Sequence, residues 1–137
     1  MEFLIKKIED LNTVIDYLIK NFSNTQKWLF YGPLGSGKTT LIKLLIEKIF
    51  KIKHVNSPSF IIVNEYHTGQ DIVYHIDLYR IKNINELIEN GIIDIIQSDK
   101  YCFIEWPNII EDFLTNFKIV KIFINLENNH RKINIEG

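Results

Sequence analysis

The chain has one cysteine, Cys102, so no disulfide can form within it. A reducing compartment is compatible with that, and the cytoplasm is the expected location. Nor does a basic block occur: the formal net charge is −1, which argues against strong non-specific nucleic-acid binding by the chain alone. It does not argue against a place in a nucleic-acid-linked pathway. Acids interrupt the first ten residues and no unbroken apolar segment of membrane length follows, so neither a signal peptide nor a membrane span is expected. His54, His67 and His75 show no metal-ligand spacing with the single cysteine, which makes a zinc site an unfavourable reading. There is no repeat, no low-complexity linker and no composition shift, so residues 1–137 are expected to form one domain. Hydrophobic residues make up 46%, enough for a packed core.

What the chain does have is a glycine-rich turn between two apolar segments. Gly32, Gly37, Lys38 and Thr39 fit G-x-x-x-x-G-K-[ST], the phosphate-binding loop of nucleoside triphosphatases. Lys27 to Tyr31 before it is an apolar, aromatic run suited to a buried strand. After it, Leu41, Ile42, Leu44, Leu45, Ile46 and Ile49 recur at helical spacing. Strand, loop and helix are the context the motif requires. Glycine lets the backbone curl around an anion, and the loop and first-turn amides have no intrahelical acceptors, so they are free to hold phosphate. The expected nucleotide contacts are Gly32, Pro33, Leu34, Gly35, Ser36, Gly37, Lys38, Thr39 and Thr40. Lys38 is expected to reach the β and γ phosphates, and the Thr39 hydroxyl to hold magnesium. In the absence of ligand, Lys38 is expected to face solvent. No Asn-Lys-x-Asp stretch for reading guanine is present, so ATP is the expected nucleotide.

The remaining elements follow from periodicity and turn chemistry. Glu2 to Ile8 reads as a strand-like lead, and Asp10 as a cap for a helix over Leu11 to Phe22. Pro58 forbids a regular central strand at Val55 to Phe60. Phe60 to Tyr66 and Ile72 to Tyr79, joined by a glycine-containing turn, suggest an antiparallel hairpin. Asn85 is a candidate cap for a helix through Glu89, with Gly91 as its stop, and Ile92 to Ile96 is ambiguous. Tyr101 to Glu105 reads as a buried strand, broken by Trp106 and Pro107. A short helix over Glu111 to Asn116 and strands over Ile119 to Leu126 and Ile133 to Glu136 complete the chain.

A phosphate loop needs an acid on a neighbouring strand to complete the magnesium shell. Glu105 ends an apolar run, at the carboxyl end of a strand where ligands of open α/β sheets sit. Asp77 is the other candidate; His75, Asp77 and Tyr79 alternate with Ile76 and Leu78, so on a strand the three would share a face. An exposed acid or a polar hairpin edge would look the same. Trp106 follows Glu105 directly, and Pro107 biases it towards an extended backbone. It is read either as a core aromatic or as a ring beside the phosphate site. Cys102, between aromatics, reads as a packed core thiol rather than a nucleophile. Arg80 and Arg131 are the only arginines, fewer than phosphotransferases use to clamp donor and acceptor. A small phosphotransferase, or kinase, using the same loop is nonetheless the competing reading, and a nucleotide-dependent binding module without turnover is a third.

The ordered blocks Gly32 to Thr40, Ser57 to Phe60, Asn64 to Tyr66, His75 to Arg80 and Ile104 to Pro107 resemble the TsaE family of small bacterial P-loop ATPases, which support threonylcarbamoyladenosine modification of tRNA. The resemblance implies a P-loop NTPase-like α/β fold: a three-layer sandwich whose mostly parallel central sheet carries an antiparallel hairpin and late antiparallel strands. It implies ATP and magnesium as cofactors and the TsaB and TsaD proteins as partners, with tRNA met only through that complex and no membrane involved. ATP hydrolysis, slow in the chain alone, would reset the complex between turnovers. By position, Lys38, Asp77 and Glu105 carry the catalytic roles. Thr39, Ser59, Asp77 and Glu105 form the magnesium set, with Ser59 matching a switch-like threonine, and Trp106 is the tryptophan beside the nucleotide. Pro33 stands where the family has aspartate, Ser59 where it has threonine, and Asn108 where glutamate is common.

Overall fold

The computed structural model describes residues 1–53 and 62–137. Ser59 and the Ser57 to Phe60 block therefore lie outside the described residues. The strands are β1 (Glu2–Ile5), β2 (Lys27–Tyr31), β3 (Val63–Thr68), β4 (Asp71–Asp77), β5 (Tyr101–Glu105), β6 (Ile119–Glu127) and β7 (His130–Glu136). The helices are α1 (Leu11–Phe22), α2 (Lys38–Phe50), α3 (Ile84–Glu89) and α4 (Ile92–Ile96), with 3₁₀ turns at Ile8–Asp10 and Pro107–Leu114. The strands form a sheet in the order β1-β7-β6-β2-β5-β4-β3. The four central strands β6, β2, β5 and β4 are mutually parallel, while β3 and β7 run against them. Strand β1 pairs antiparallel with β7 and so rejoins the common direction.

Helices cover both faces. Val14, Ile15 and Leu18 of α1 and Leu41, Ile42, Leu45 and Ile46 of α2 pack with Trp28, Phe30 and Phe103 on one side. Leu87, Ile92, Ile93, Ile96, Ile110 and Leu114 pack with Leu29, Ile76 and Ile104 on the other. The central position of β2 accounts for its continuous apolar run, since a parallel strand with helices on both faces has no solvent side. Each large apolar side chain buried this completely contributes about 1.5–3 kcal/mol. Trp28, fully buried, stacks on Phe103 at 5.1 Å and donates its indole N–H to the Thr25 carbonyl at 2.6 Å. Among the described residues no helix is long and apolar enough to cross a membrane.

Local chemistry moved several expected boundaries. Asp10 precedes α1, but its carboxylate accepts from the Lys6 and Lys7 amides at 2.9 and 3.1 Å, so it closes the turn before the helix rather than capping it. Those bonds hold its carboxyl below the usual aspartate range. Asn83, not Asn85, caps α3, its Oδ1 accepting from the Asn85 amide at 3.0 Å. Ile92–Ile96 forms α4, because Gly91 ends one helix and three of the five residues after it are buried. The structured turn after β5 starts at Pro107, whose fixed φ suits a first helical position, rather than at Glu111. Strand β4 stops at Asp77, because the Asp77 carboxylate turns to accept from the Tyr79 amide at 3.0 Å. Tyr79 thus leaves the strand and lies exposed instead of sharing a face with His75 and Asp77.

Candidate active site

The glycine loop joins β2 to α2 at the carboxyl ends of the parallel strands, where β4 and β5 also end. Gly37 has φ +104 immediately before α2, a conformation glycine adopts without penalty. A Cβ on Gly32 would collide with the Ile124 carbonyl oxygen, so β6 leaves room there for glycine alone. Ser36 donates its amide to the Pro33 carbonyl at 3.1 Å, and its buried hydroxyl has no partner among the described residues.

Lys38 does not face solvent. It is 4% exposed, and its amine donates to the Gly32 carbonyl at 2.6 Å and the Pro33 carbonyl at 3.0 Å. The same amine lies 4.4 Å from the centroid of the Trp106 ring, a cation–π distance. Burial pulls its pKa below the usual lysine value, against the opposing pull of Glu105 and Asp77. The loop's lysine is thus folded back onto the loop's own carbonyls.

Glu105 is 3% exposed, so it is not the solvated strand-end acid that the sequence alone allowed. Thr39, 66 residues away, donates its hydroxyl to both carboxylate oxygens at 2.9 and 3.0 Å. His75 Nε2 stands 2.7 Å from Oε2. Parallel pairing sets Asp77 opposite Glu105 and His75 opposite Phe103, so the two acids and the imidazole share the α2 face. Burial raises the Asp77 pKa above the usual aspartate value, against the lowering effect of the Tyr79 amide.

Trp106 adopts φ 56 and ψ 55, a left-handed backbone rather than the extended one Pro107 favours. Such a conformation costs a non-glycine residue about 1–3 kcal/mol. Two contacts hold it: the Trp106 amide donates to the Phe30 carbonyl at 3.3 Å, and the ring packs 4.9 Å from Tyr79. The half-buried indole therefore sits beside Lys38, at the site and not in the core.

A cavity of about 310 Å³ gathers Lys38, Thr39, Asp77, Glu105 and Trp106. A second, of about 160 Å³, opens on the other side of the loop between Lys6, Lys7, Thr40 and the β6–β7 hairpin. Arg131 borders both. The Thr39 hydroxyl and the Asp77 and Glu105 carboxylates are hard oxygen donors, the set magnesium takes when phosphate and water complete its shell. Among the described residues no group of three histidine, cysteine, aspartate or glutamate side chains is placed to hold a metal alone. Sequence reasoning brought together Lys38, Thr39, Asp77, Glu105 and Trp106 but gave no site role to His75 or Arg131. The strand spacing of His75 and Asp77 was the signal for the first; nothing in the sequence placed the second.

A strand, glycine loop and helix at the carboxyl edge of a largely parallel sheet, with a lysine and a threonine opposite strand-end acids, define a P-loop NTPase-like fold. The crystal structure of Bacillus subtilis YdiB has the same fold, with a TM-score of 0.70 at 22% identity, covering 98% of this chain and 83% of that one. A model of the family described as threonylcarbamoyl adenosine biosynthesis protein TsaE matches residues 5–133, and the chain belongs to the TsaE family. Proteins named tRNA threonylcarbamoyladenosine biosynthesis protein TsaE are similar to it. The one from Aquifex aeolicus is 33% identical over 141 residues, 98% of this chain and 94% of the relative. That from Haemophilus influenzae is 41% identical over 75 residues, 55% of this chain and 48% of the relative. That from Bacillus subtilis is 32% identical over 102 residues, 74% and 63% respectively. The chain thus spans about half the length of the Haemophilus relative and under two thirds of the Bacillus one.

Proposed function

We propose that this chain binds ATP with magnesium at the Gly32 to Thr40 loop and hydrolyses it, serving threonylcarbamoyladenosine modification of tRNA by resetting a complex of TsaB and TsaD proteins. The observation that carries the reading is the meeting of the Thr39 hydroxyl with the buried Glu105 carboxylate. A plain turn between strand and helix needs neither group. Family membership supplies the pathway.

In this reading the loop amides hold the phosphate chain, and Lys38 leaves the Gly32 and Pro33 carbonyls to meet the β and γ phosphates. Thr39, Asp77 and Glu105 are the residues that would hold magnesium, which when bound neutralises phosphate charge. Glu105, fixed by Thr39 and His75, orders the metal shell or the attacking water. Asp77 supports the metal shell, in concert with Ser59. Tyr79 and Trp106 form a partly exposed aromatic pair at the mouth of the site, suited to anchoring a protein partner. Partner proteins contacting that pair would couple nucleotide state to assembly.

ATP turnover by the pure chain, repeated with TsaB and TsaD added, tests the proposal. Slow hydrolysis that the partners stimulate is expected. Absence of turnover in both settings, or phosphate passed to a small acceptor instead of water, would overturn it.

A further inference from the structure

We propose that Arg131 is a phosphate clamp: a guanidinium that reaches over the loop from β7 and binds, in bidentate fashion, the phosphates common to ADP and ATP. The inference rests on the nucleotide reading above and adds a residue to it.

The position of Arg131 is set by the sheet. Strand β7 returns antiparallel along β6, with Arg131 opposite Leu126, and on its other side opposite Ile5 of β1. That register carries a side chain from near the end of the chain to the loop near its beginning. Its Nη2 lies 3.5 Å from the Gly35 carbonyl oxygen, 96 residues away in sequence. Its Nε lies 3.6 Å from where a Cβ on Gly37 would stand. The guanidinium therefore lies over the loop backbone, within ordinary van der Waals reach of Gly37.

Its bonding is unfinished. Guanidinium offers five donors in a planar fork, and here one long contact to a neutral carbonyl engages them. Among the described residues Arg131 makes no ion pair. Arg80, the other arginine, borders neither cavity at the loop. A solvated surface arginine would show the same thrift, but it would not lie across a phosphate loop.

The charge around it is one-sided. Asp77 and Glu105 flank the loop within the larger cavity. The smaller cavity is lined by Lys6, Lys7 and Arg131 and, among the described residues, by no carboxylate. Of the two acids that follow those lysines, Glu9 and Asp10, neither lines the cavity, and Asp10 is occupied with the lysine amides. Ile5, Leu11 and Ile133 give that cavity an apolar lining. A cationic rim over an apolar floor, on the side of the loop away from the acids, suits the end of a nucleotide where phosphate meets nucleoside. Arg131 stands at that junction, while Lys38 serves the terminal end.

The test is calorimetric titration of the full chain with MgADP and MgATP, alongside R131Q and R131K. In R131Q both dissociation constants should rise about tenfold or more, the loss expected for charge-assisted bonds to phosphate. The ligand-free melting temperature should stay near that of wild type, while the nucleotide-induced rise shrinks. R131K keeps the charge and loses the fork, so it should recover affinity only in part. Should R131Q fail to fold, R131K alone carries the test, and wild-type affinity there overturns the clamp. Unchanged affinity in R131Q overturns it too. A loss confined to MgATP would move the contact to the terminal phosphate and overturn the shared-phosphate assignment. A wild-type chain that binds neither nucleotide would sink the underlying reading itself, a result distinct from a wild-type chain that binds and an R131Q that binds equally well.

Discussion

His75 Nε2 and Glu105 Oε2 lie 2.7 Å apart in the interior, with both side chains almost wholly shielded from water. A buried carboxylate needs partners, and this one has a hydroxyl on one side and an imidazole on the other. His75 thereby fixes the rotamer of an acid aimed at Thr39. Replacing it with Phe should lower kcat for ATP hydrolysis about 10–100-fold, the usual cost of losing a residue that orients a metal-site ligand. His75→Gln, which restores an N–H donor, should recover part of that loss with KM little changed. Steady-state kinetics of the two variants would show it; equal activity in Phe, Gln and wild type would leave His75 a packing residue.

Lys38→Ala should abolish tight ATP binding and turnover. Because the amine also ties two loop carbonyls, the variant should lose about 1–3 kcal/mol of stability, the cost of breaking charge-assisted bonds. Urea unfolding checks the second effect and nucleotide titration the first. A folded variant with full turnover would refute the assignment of the loop.

Glu105→Gln should still bind MgATP but hydrolyse it at least about a hundredfold more slowly, as expected for loss of charge at the reacting centre. Asp77→Asn should weaken magnesium-dependent binding more than it slows bound nucleotide. Binding measured with and without magnesium, beside single-turnover rates, separates the two. Exchanged phenotypes would exchange the roles, and two wild-type phenotypes would remove both acids from the chemistry.

Trp106 should report nucleotide. Its ring faces the Lys38 amine at 4.4 Å, so drawing that amine onto phosphate removes a cation from the indole. In a Trp28→Phe background, MgATP should change the emission, and adding Lys38→Ala should suppress the change. Trp106→Ala should weaken partner-stimulated turnover more than nucleotide binding. Emission indifferent to nucleotide would contradict this picture.

Cys102 should be inert in the native protein. Burial pushes its thiol up to about 11, although the Lys27 amine, 3.6 Å from the sulfur, pulls the other way. The thiolate is therefore scarce near neutral pH and its fraction grows only as pH approaches that value. A thiol reagent at pH 8 should label the protein only when denaturant is added; prompt labelling of the folded chain would contradict the assigned burial.

The loop, β2, α2 and β5 were legible because each carries a strong local signature: glycine and lysine at fixed offsets, or an apolar run of strand length. The pairing of His75 with Glu105 was not, since it depends on β4 lying beside β5 in the sheet, which periodicity does not specify. Arg131 is the extreme case, carried to the loop by the antiparallel return of β7. At Trp106 the extended backbone expected from Pro107 is not adopted, because tertiary contacts with Phe30 and Tyr79 outweigh that local preference. Asp10 shows that a side chain suited to capping can serve the neighbouring turn instead, and Asn83 that the cap can fall two residues before the candidate the sequence offers.

The posture of Lys38 has a thermodynamic corollary. Its amine is already satisfied by two neutral carbonyls, so arrival of a nucleotide is a swap of acceptors in which the lysine ends with about as many hydrogen bonds as it began. What changes is the charge on the acceptor, from a carbonyl dipole to a phosphate anion. The lysine's share of affinity is therefore largely coulombic, and because the amine is buried it should withstand rising ionic strength better than a surface ion pair would.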